Sequence, residues 1–332
     1  MNNPKTKTKT VCFDTLFRPN YENMESTDFS INLSEPIEKV TAVKLAAMEL
    51  PNMWYSVSKK NGTNVFEISL HNFYQYYTSS SREKVLVEEM RHMIEIPDGN
   101  YRADYFENTL NTIFTNTKGG LEFLKVEVDE ISAKTIIRAR TCHDIGTNPK
   151  PYEPDNDLYS PEFFFRFRLL TPEAKRRNQP LNRTLGWMMG FKKEVYEIGN
   201  QDTYTTSAVS NREHQEITYY AYLSSESSYG NSVFQYVFLE ISEGKEAFRK
   251  DEVISNPNLV DRNMDILARI TIGSSHNTVV MDNGADQIFK RREYTIPVKI
   301  GALHIRLLDK FGDVIDLNGN DYSFLLEFTV LE

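Results

Sequence analysis

The chain is poor in the residues and motifs that announce chemistry. Two cysteines, Cys12 and Cys142, stand far apart among 332 residues. That spacing fits reduced thiols better than a disulfide framework and leaves a single bridge open. No stretch approaches the roughly 18 uninterrupted apolar residues of a membrane-spanning helix, and the opening MNNPKTKTKT carries no hydrophobic signal core. A soluble protein with no transmembrane segment and no signal peptide is therefore expected. The sequons at Asn32, Asn61 and Asn182 then read as chance. Basic residues are outnumbered, 38 to 47, for a net charge of −9. Phosphate contact needs cation in excess, so no direct nucleic-acid role is expected.

Catalytic signatures are equally scarce. Neither Gly-x-Ser-x-Gly nor Gly-x-x-x-x-Gly-Lys-Ser/Thr occurs, which removes the usual serine-hydrolase and phosphate-loop readings. Cys142, His143 and Asp144 are consecutive, and neighbours in an extended chain point to opposite faces, so they form no triad by themselves. Only six histidines are present. His214-Gln215-Glu216 has the local spacing of a facial triad, with His276 or His304 as a third ligand; about one such match is expected by chance. Asp316, Asn318, Asn320 and Glu327 imitate a calcium loop, but Asp321 stands where the glycine belongs. Asn318-Gly319 is better read as a turn. No metal and no cofactor are expected.

What the chain does have is apolar and aromatic material in strand-like order. Hydrophobic residues make up 40 %, with 18 Tyr and 20 Phe, ample for a large core in one all-β unit. The end of the chain organises the rest: Leu303, Ile305 and Leu307 alternate with His304 and Arg306, and Phe324, Leu326, Phe328 and Val330 with Leu325, Glu327 and Thr329. This period of two marks half-buried strands, and an apolar terminal strand needs an existing sheet to pair with. Upstream, Phe29, Ile31, Leu33, Val43, Leu45, Met48 and Leu50 mark a strand whose phase slips at Ala46-Ala47, as at a β-bulge, and which Pro51 ends. Lys60-Asn61-Gly62-Thr63 predicts a hairpin turn. The aromatics Phe73, Tyr74, Tyr76 and Tyr77 read as core and sheet edge, with an aromatic ligand platform as the alternative.

One clear helix is predicted from Asp104, capped with Glu107, with Phe106, Leu110, Ile113 and Phe114 on one stripe and Gly119-Gly120 as its stop. Gly146 to Pro161 is proline-rich and predicts a long loop, and Gly199 to Glu216, polar and without apolar period, predicts another. Phe163 to Leu170, Val233 to Ile241 and Ile266 to Ile272 predict strands, giving about a dozen in all. Leu185 to Phe191, with Trp187, Met188 and Met189 between two glycines, predicts a close-packed turn or a contact patch.

Four segments carry a resemblance: DFSINLSEPIEKVTAVKLAAMELPNMWYSVS from Asp28, IPDGNYRADYFENTLNTIF from Ile96, LGWMMGF from Leu185, and RREYTIPVKIGALHIRLLDKFGDVIDLNGNDYSFLLEF from Arg291. Together they resemble the jelly-roll minor capsid and penton-type capsid proteins of nucleocytoplasmic large DNA viruses, over roughly a third of the chain. The resemblance implies a mainly β fold: a jelly-roll β-sandwich with an inserted small α/β segment. Residues 1–24, polar with alternating Lys5, Lys7 and Lys9 ahead of the apolar patch Val11 to Phe17, read as an N-terminal arm or a frayed terminus, and 25–332 as a single domain with the helix-bearing insertion at about 97–200. The function expected is that of a non-enzymatic virion protein, made in the host cytoplasm and assembling with itself and with other capsid proteins. Trp54, Trp187 and Met188 are then candidate interface anchors, and Arg166, Arg168, Arg176 and Arg177 candidate rim contacts. A receptor- or glycan-binding β-sandwich is the first alternative and a metal-dependent double-stranded β-helix enzyme the second.

Overall fold

The computed structural model describes residues 5–76, 84–117, 119–141, 144, 159–210, 213–230, 236–243, 265–273, 276, 278–282 and 290–332. Every strand pairing among them is antiparallel. The chain divides into two compact units, one formed by Met1–Trp54 with Phe234–Glu332, the other by Tyr55–Val233. The expected insertion, about 97–200, falls inside the second unit, whose limits are wider at both ends.

The first unit is a sheet of β1 (Thr6–Asp14), β2 (Asp28–Pro51), β12 (Tyr236–Ser242), β13 (Ile266–Thr271), β14 (Val279–Asp282), β15 (Arg291–Leu308) and β16 (Ser323–Leu331). The strand order is β1-β16-β2-β15-β12-β13, with β14 also on β2. The terminal strand β16 lies between β1 and β2, the pairing its apolar alternation demands. Its burial follows that alternation residue by residue. Leu325 faces Ala47 while Leu326 faces Leu45, so Ala46 is the extra residue of the bulge and the phase slip has its structural cause.

Strands β2 and β15 are long, 24 and 18 residues, and change neighbours along their length. Along one edge Asp28 to Lys44 of β2 runs beside β15, with register shifts, and Met48 to Pro51 beside β14; along the other edge Val40 to Glu49 runs beside β16. Strands that pass between sheets at bulges build the corners of sandwiches, and the mainly β, multi-sheet arrangement is consistent with a jelly-roll β-sandwich. Strand β12 is buried on both faces, from Val237 to Ile241, as its largely apolar run predicts, with Glu240 buried against Arg306. Residues 6–14, expected as part of an arm, are an edge strand of this sheet: Phe13 opposite Phe324 supplies the apolar contact that pairs them, the rings stacking at 5.0 Å.

The second unit holds β3 (Val65–Tyr76), β4 (Lys84–Glu95), α1 (Ala103–Asn116), β5 (Leu124–Val128), β6 (Lys134–Ala139), β7 (Tyr159–Arg168), α2 (Pro172–Arg176), α3 (Leu185–Met188), β8 (Val195–Gly199), β9 (Tyr204–Ser210), β10 (Glu213–Tyr219) and β11 (Leu223–Ser228). Strands β4-β3-β7-β8 form one sheet, β11-β6-β5 a second, and β9 with β10 a ribbon. Phe66, Ile68 and Leu70 of β3, Phe165 and Phe167 of β7, Val126 of β5 and Ile137 of β6 share one core with Phe106, Leu110 and Phe114 of α1. The i, i+4, i+8 stripe of α1 thus packs where the sequence predicts.

Its start is different. Arg102 is the N-cap residue and makes no side-chain cap, with Asp104 inside the first turn. Glu107 is drawn away from the cap because its Oε2 accepts from the Val128 amide at 3.2 Å. One turn on, Asn111 receives the Val126 amide at 3.0 Å and donates to the Val126 carbonyl at 2.7 Å. The helix therefore occupies the hydrogen-bonding edge of β5 and closes it to other strands.

Two more expectations change. Gly199 to Glu216 is a hairpin, not a loop: β9 and β10 pair from Tyr204↔Tyr219 to Ser210↔Glu213. A two-stranded ribbon is not obliged to bury either face, so its sequence shows no apolar period. Most of Gly146 to Pro161 lies outside the described residues, and β7 begins at Tyr159. The turn at 185–191 is close-packed as expected. A Cβ on Gly190, which sits at φ +96°, would stand 2.0 Å from the Ser227 carbonyl oxygen, and Leu185, Met188, Met189 and Phe191 are buried.

Candidate interaction surfaces

The first unit builds one surface feature with unusual care. After β1 the chain makes a 3-10 turn, Thr15–Phe17, that leaves Leu16 51 % and Phe17 77 % exposed. Large apolar side chains normally leave such positions for the core, so the turn must be held from behind. The holder is Asp321. Its carboxylate accepts from the Thr15 hydroxyl at 2.9 Å, from the Arg18 guanidinium at 2.5 Å and from the Tyr21 hydroxyl at 2.9 Å. Arg18 also donates to the carbonyls of Met24 and Thr15, both at 2.7 Å. The Thr15 amide donates to the Tyr322 carbonyl at 3.0 Å and the Tyr322 amide to Thr15 Oγ1 at 2.9 Å. A charge-assisted hub thus locks a solvent-facing Leu-Phe pair.

The residues expected to meet partners are placed otherwise. Trp54 and Met188 are 2 % and 5 % exposed, and a side chain that buried presents no surface, which corrects both as anchors. Trp187 is half-buried, with the Lys192 ammonium 3.9 Å from its ring centre. Arg166 pairs with Glu197 at 2.7 Å, Arg168 with Glu67, and Arg177 with Glu173 along α2. Arg176 is exposed in the last turn of that helix. Phe73, offered as part of an aromatic platform, is fully buried in the core of the second unit, and Tyr77 lies outside the described residues.

Of the histidines named as ligands, His304 bonds Asp28 at 2.7 Å. His214 and Glu216 lie on β10, their side chains outside the described set. Among the described residues no three His, Cys, Asp or Glu side chains form a metal-holding group. Asp316 accepts the Asn318 amide at 2.8 Å, with Asn318 and Gly319 at φ +54° and +75°, which is turn chemistry. Cys12 is free and exposed; Cys142 lies outside the described residues.

No family model and no curated relative matches the chain. Among solved structures it is similar to the selenomethionine-labelled mavirus penton protein, with 10 % identity over 97 % of this chain and 98 % of that one, at a TM-score of 0.43.

Two features were missed in the sequence. On the β9–β10 ribbon, read as a loop, Tyr204 stacks on Tyr222 at 4.8 Å, and Tyr219 lies 6.4 Å from Tyr222. Tyr204 is 47 % exposed. Amphipathic rings of this kind recur in contact surfaces; the signal available was the pair Tyr204 and Tyr219 at the open end of a polar hairpin. Behind them Arg138, its guanidinium 4.5 Å from the Tyr219 ring, joins Glu127 and Asp144, each at 2.7 Å, and Lys125 bridges the same two carboxylates at 2.8 Å. Burial alone would raise the Asp144 carboxyl, but hydrogen bonds from Arg138 and Lys125 outweigh it and hold the group well below the usual carboxylate range. Alternating charges on paired strands look like solvated faces, so nothing local marks this lattice.

Proposed function

We propose that the protein is a structural virion component, a minor capsid or penton (vertex) protein of a large icosahedral DNA virus, acting by contact with copies of itself and with other capsid proteins and not by catalysis. The observation that carries this reading is the Leu16–Phe17 turn locked in an exposed position by Asp321. Burying the exposed parts of these two side chains is worth about 3 kcal/mol per contact. Because the turn is already ordered, little of that is spent on fixing it. The four capsid-like sequence segments support the same reading, and so does an all-antiparallel scaffold of two β units.

The test is the mass of the purified protein by light scattering, with elemental analysis alongside. A metal-free pentamer supports a vertex capsomer, since a closed ring is what a heterologous contact generates. A metal-free monomer supports a minor capsid protein that assembles only with its partners. Iron or zinc at one equivalent per chain overturns the reading in favour of the enzyme.

A further inference from the structure

We propose that the second unit carries a binding groove for a neutral saccharide, between the outer face of α1 and the chain around Arg140. The groove holds about 400 Å³ and is lined by polar residues. Its helix wall is the stripe Asn108, Thr112 and Asn116, at the spacing of successive turns on one face. Among the described residues the carboxamides of Asn108 and Asn116 make no side-chain hydrogen bond. Each presents donors and an acceptor. The Thr112 hydroxyl donates to the Asn108 carbonyl at 2.7 Å and keeps its lone pairs for an incoming donor.

Arg140 stands at the groove fixed by two neutral acceptors, the Leu124 carbonyl at 2.9 Å and the Thr115 hydroxyl at 2.8 Å. Among the described residues the rest of its fork meets no acceptor. Glu107 uses Oε2 on the Val128 amide, which leaves Oε1 as an acceptor. Lys125 and Asp144 are spent on each other and on the Arg138 lattice, and form a rigid floor.

The chemistry of the ligand follows from that inventory. Among the described residues, unpaired donors and acceptors are mixed at the groove, and the charges outside the Lys125–Asp144 pair, one guanidinium and one carboxylate, cancel. A phosphate or sulfate calls for donors in excess, and a drug-like apolar ligand calls for apolar walls. Vicinal hydroxyls, each both donor and acceptor, match a mixed set on a rigid frame. Tyr105, 64 % exposed, is not part of the lining but precedes Asn108 by three residues on the same helix face, where its ring can meet the apolar face of a pyranose that extends past the groove. This site is distinct from the aromatic cluster at Phe73, which is core, and it does not depend on the assembly reading.

The experiment is a screen of the full chain against immobilised neutral disaccharides of hexoses and N-acetylhexosamines, with sialyllactose and inorganic phosphate as charged probes, followed by saturation-transfer NMR on hits. A neutral disaccharide is expected to bind at about millimolar Kd. Asn108→Ala and Asn116→Ala, on exposed helix positions, each weaken it about fivefold, the worth of one hydrogen bond, with the melting temperature unchanged. Tyr105→Ala weakens it by a similar factor. No binding by any neutral disaccharide, binding indifferent to all three substitutions, or binding of phosphate alone overturns the proposal.

Discussion

Replacing Asp321 by alanine should unlock the Leu16–Phe17 turn without touching it. The substitution removes the acceptor of three hydrogen bonds, one of them from Arg18, whose side chain is 8 % exposed. Removing one partner of a buried ion pair costs about 3–5 kcal/mol because the survivor keeps its desolvation penalty. Here Asp321 is 20 % exposed and Arg18 retains its carbonyl acceptors, so the lower end applies, about 3 kcal/mol. For a unit of about 150 residues that corresponds to a melting temperature lower by about 6–12 °C. The readouts are calorimetry and chymotrypsin digestion, because release of the turn exposes the bonds after Phe17 and Tyr21. Asp321→Asn, which keeps an acceptor, should lose about half as much, and Arg18→Met with Asp321→Ala should lose less than the sum of the two. A fall below about 2 °C with an unchanged digest, or strict additivity, refutes the hub.

Phe17→Ser, which removes an exposed ring, should leave the melting temperature within about 2 °C while shifting the light-scattering mass toward monomer; an unchanged oligomer would remove this turn from the interface. Gly190→Ala should cost at least about 3 kcal/mol, because the new Cβ would meet the Ser227 carbonyl at 2.0 Å in a left-handed backbone, and a denaturant midpoint equal to the parent's contradicts that packing. Arg138→Met should destabilise the second unit by about 3 kcal/mol, since Glu127 and Asp144 are left with Lys125 alone as a common partner; urea unfolding decides it. His71 lies buried on the Phe164 ring at 4.3 Å, facing Ser69, Glu89 and Arg166, with Arg168 and Glu197 beyond. Burial holds its imidazole below the ordinary histidine value. The unfolded chain then binds the proton first, so stability is intact above about pH 6.5 and falls as the pH drops through the folded value. The melting temperature should decline between pH 7 and 5 more steeply than in His71→Gln, and parallel curves would refute the assignment.

Some features were determined by the sequence alone because their physics is local. Period-two alternation in β16, the phase slip at Ala46, the proline end of β2 and the apolar stripe of α1 each depend on side chains a few residues apart, and the structure keeps all of them. Elements whose pairing does not rest on an apolar face were not legible: the β9–β10 ribbon is rich in Thr, Ser, Glu and Gln, so its strands carry no apolar period. Exposure was not legible either. Trp54 and Met188 have the composition of contact anchors and lie in the interior, whereas Leu16 and Phe17, within the stretch read as an arm, stand in solvent on a turn that Asp321, some 300 residues away, holds. The division into two units was likewise decided in three dimensions, since it joins Met1–Trp54 to Phe234–Glu332 through β16 and β15 pairing on β2. Sequence fixes which residues want a partner at short range; only the tertiary fold decides which distant group supplies it.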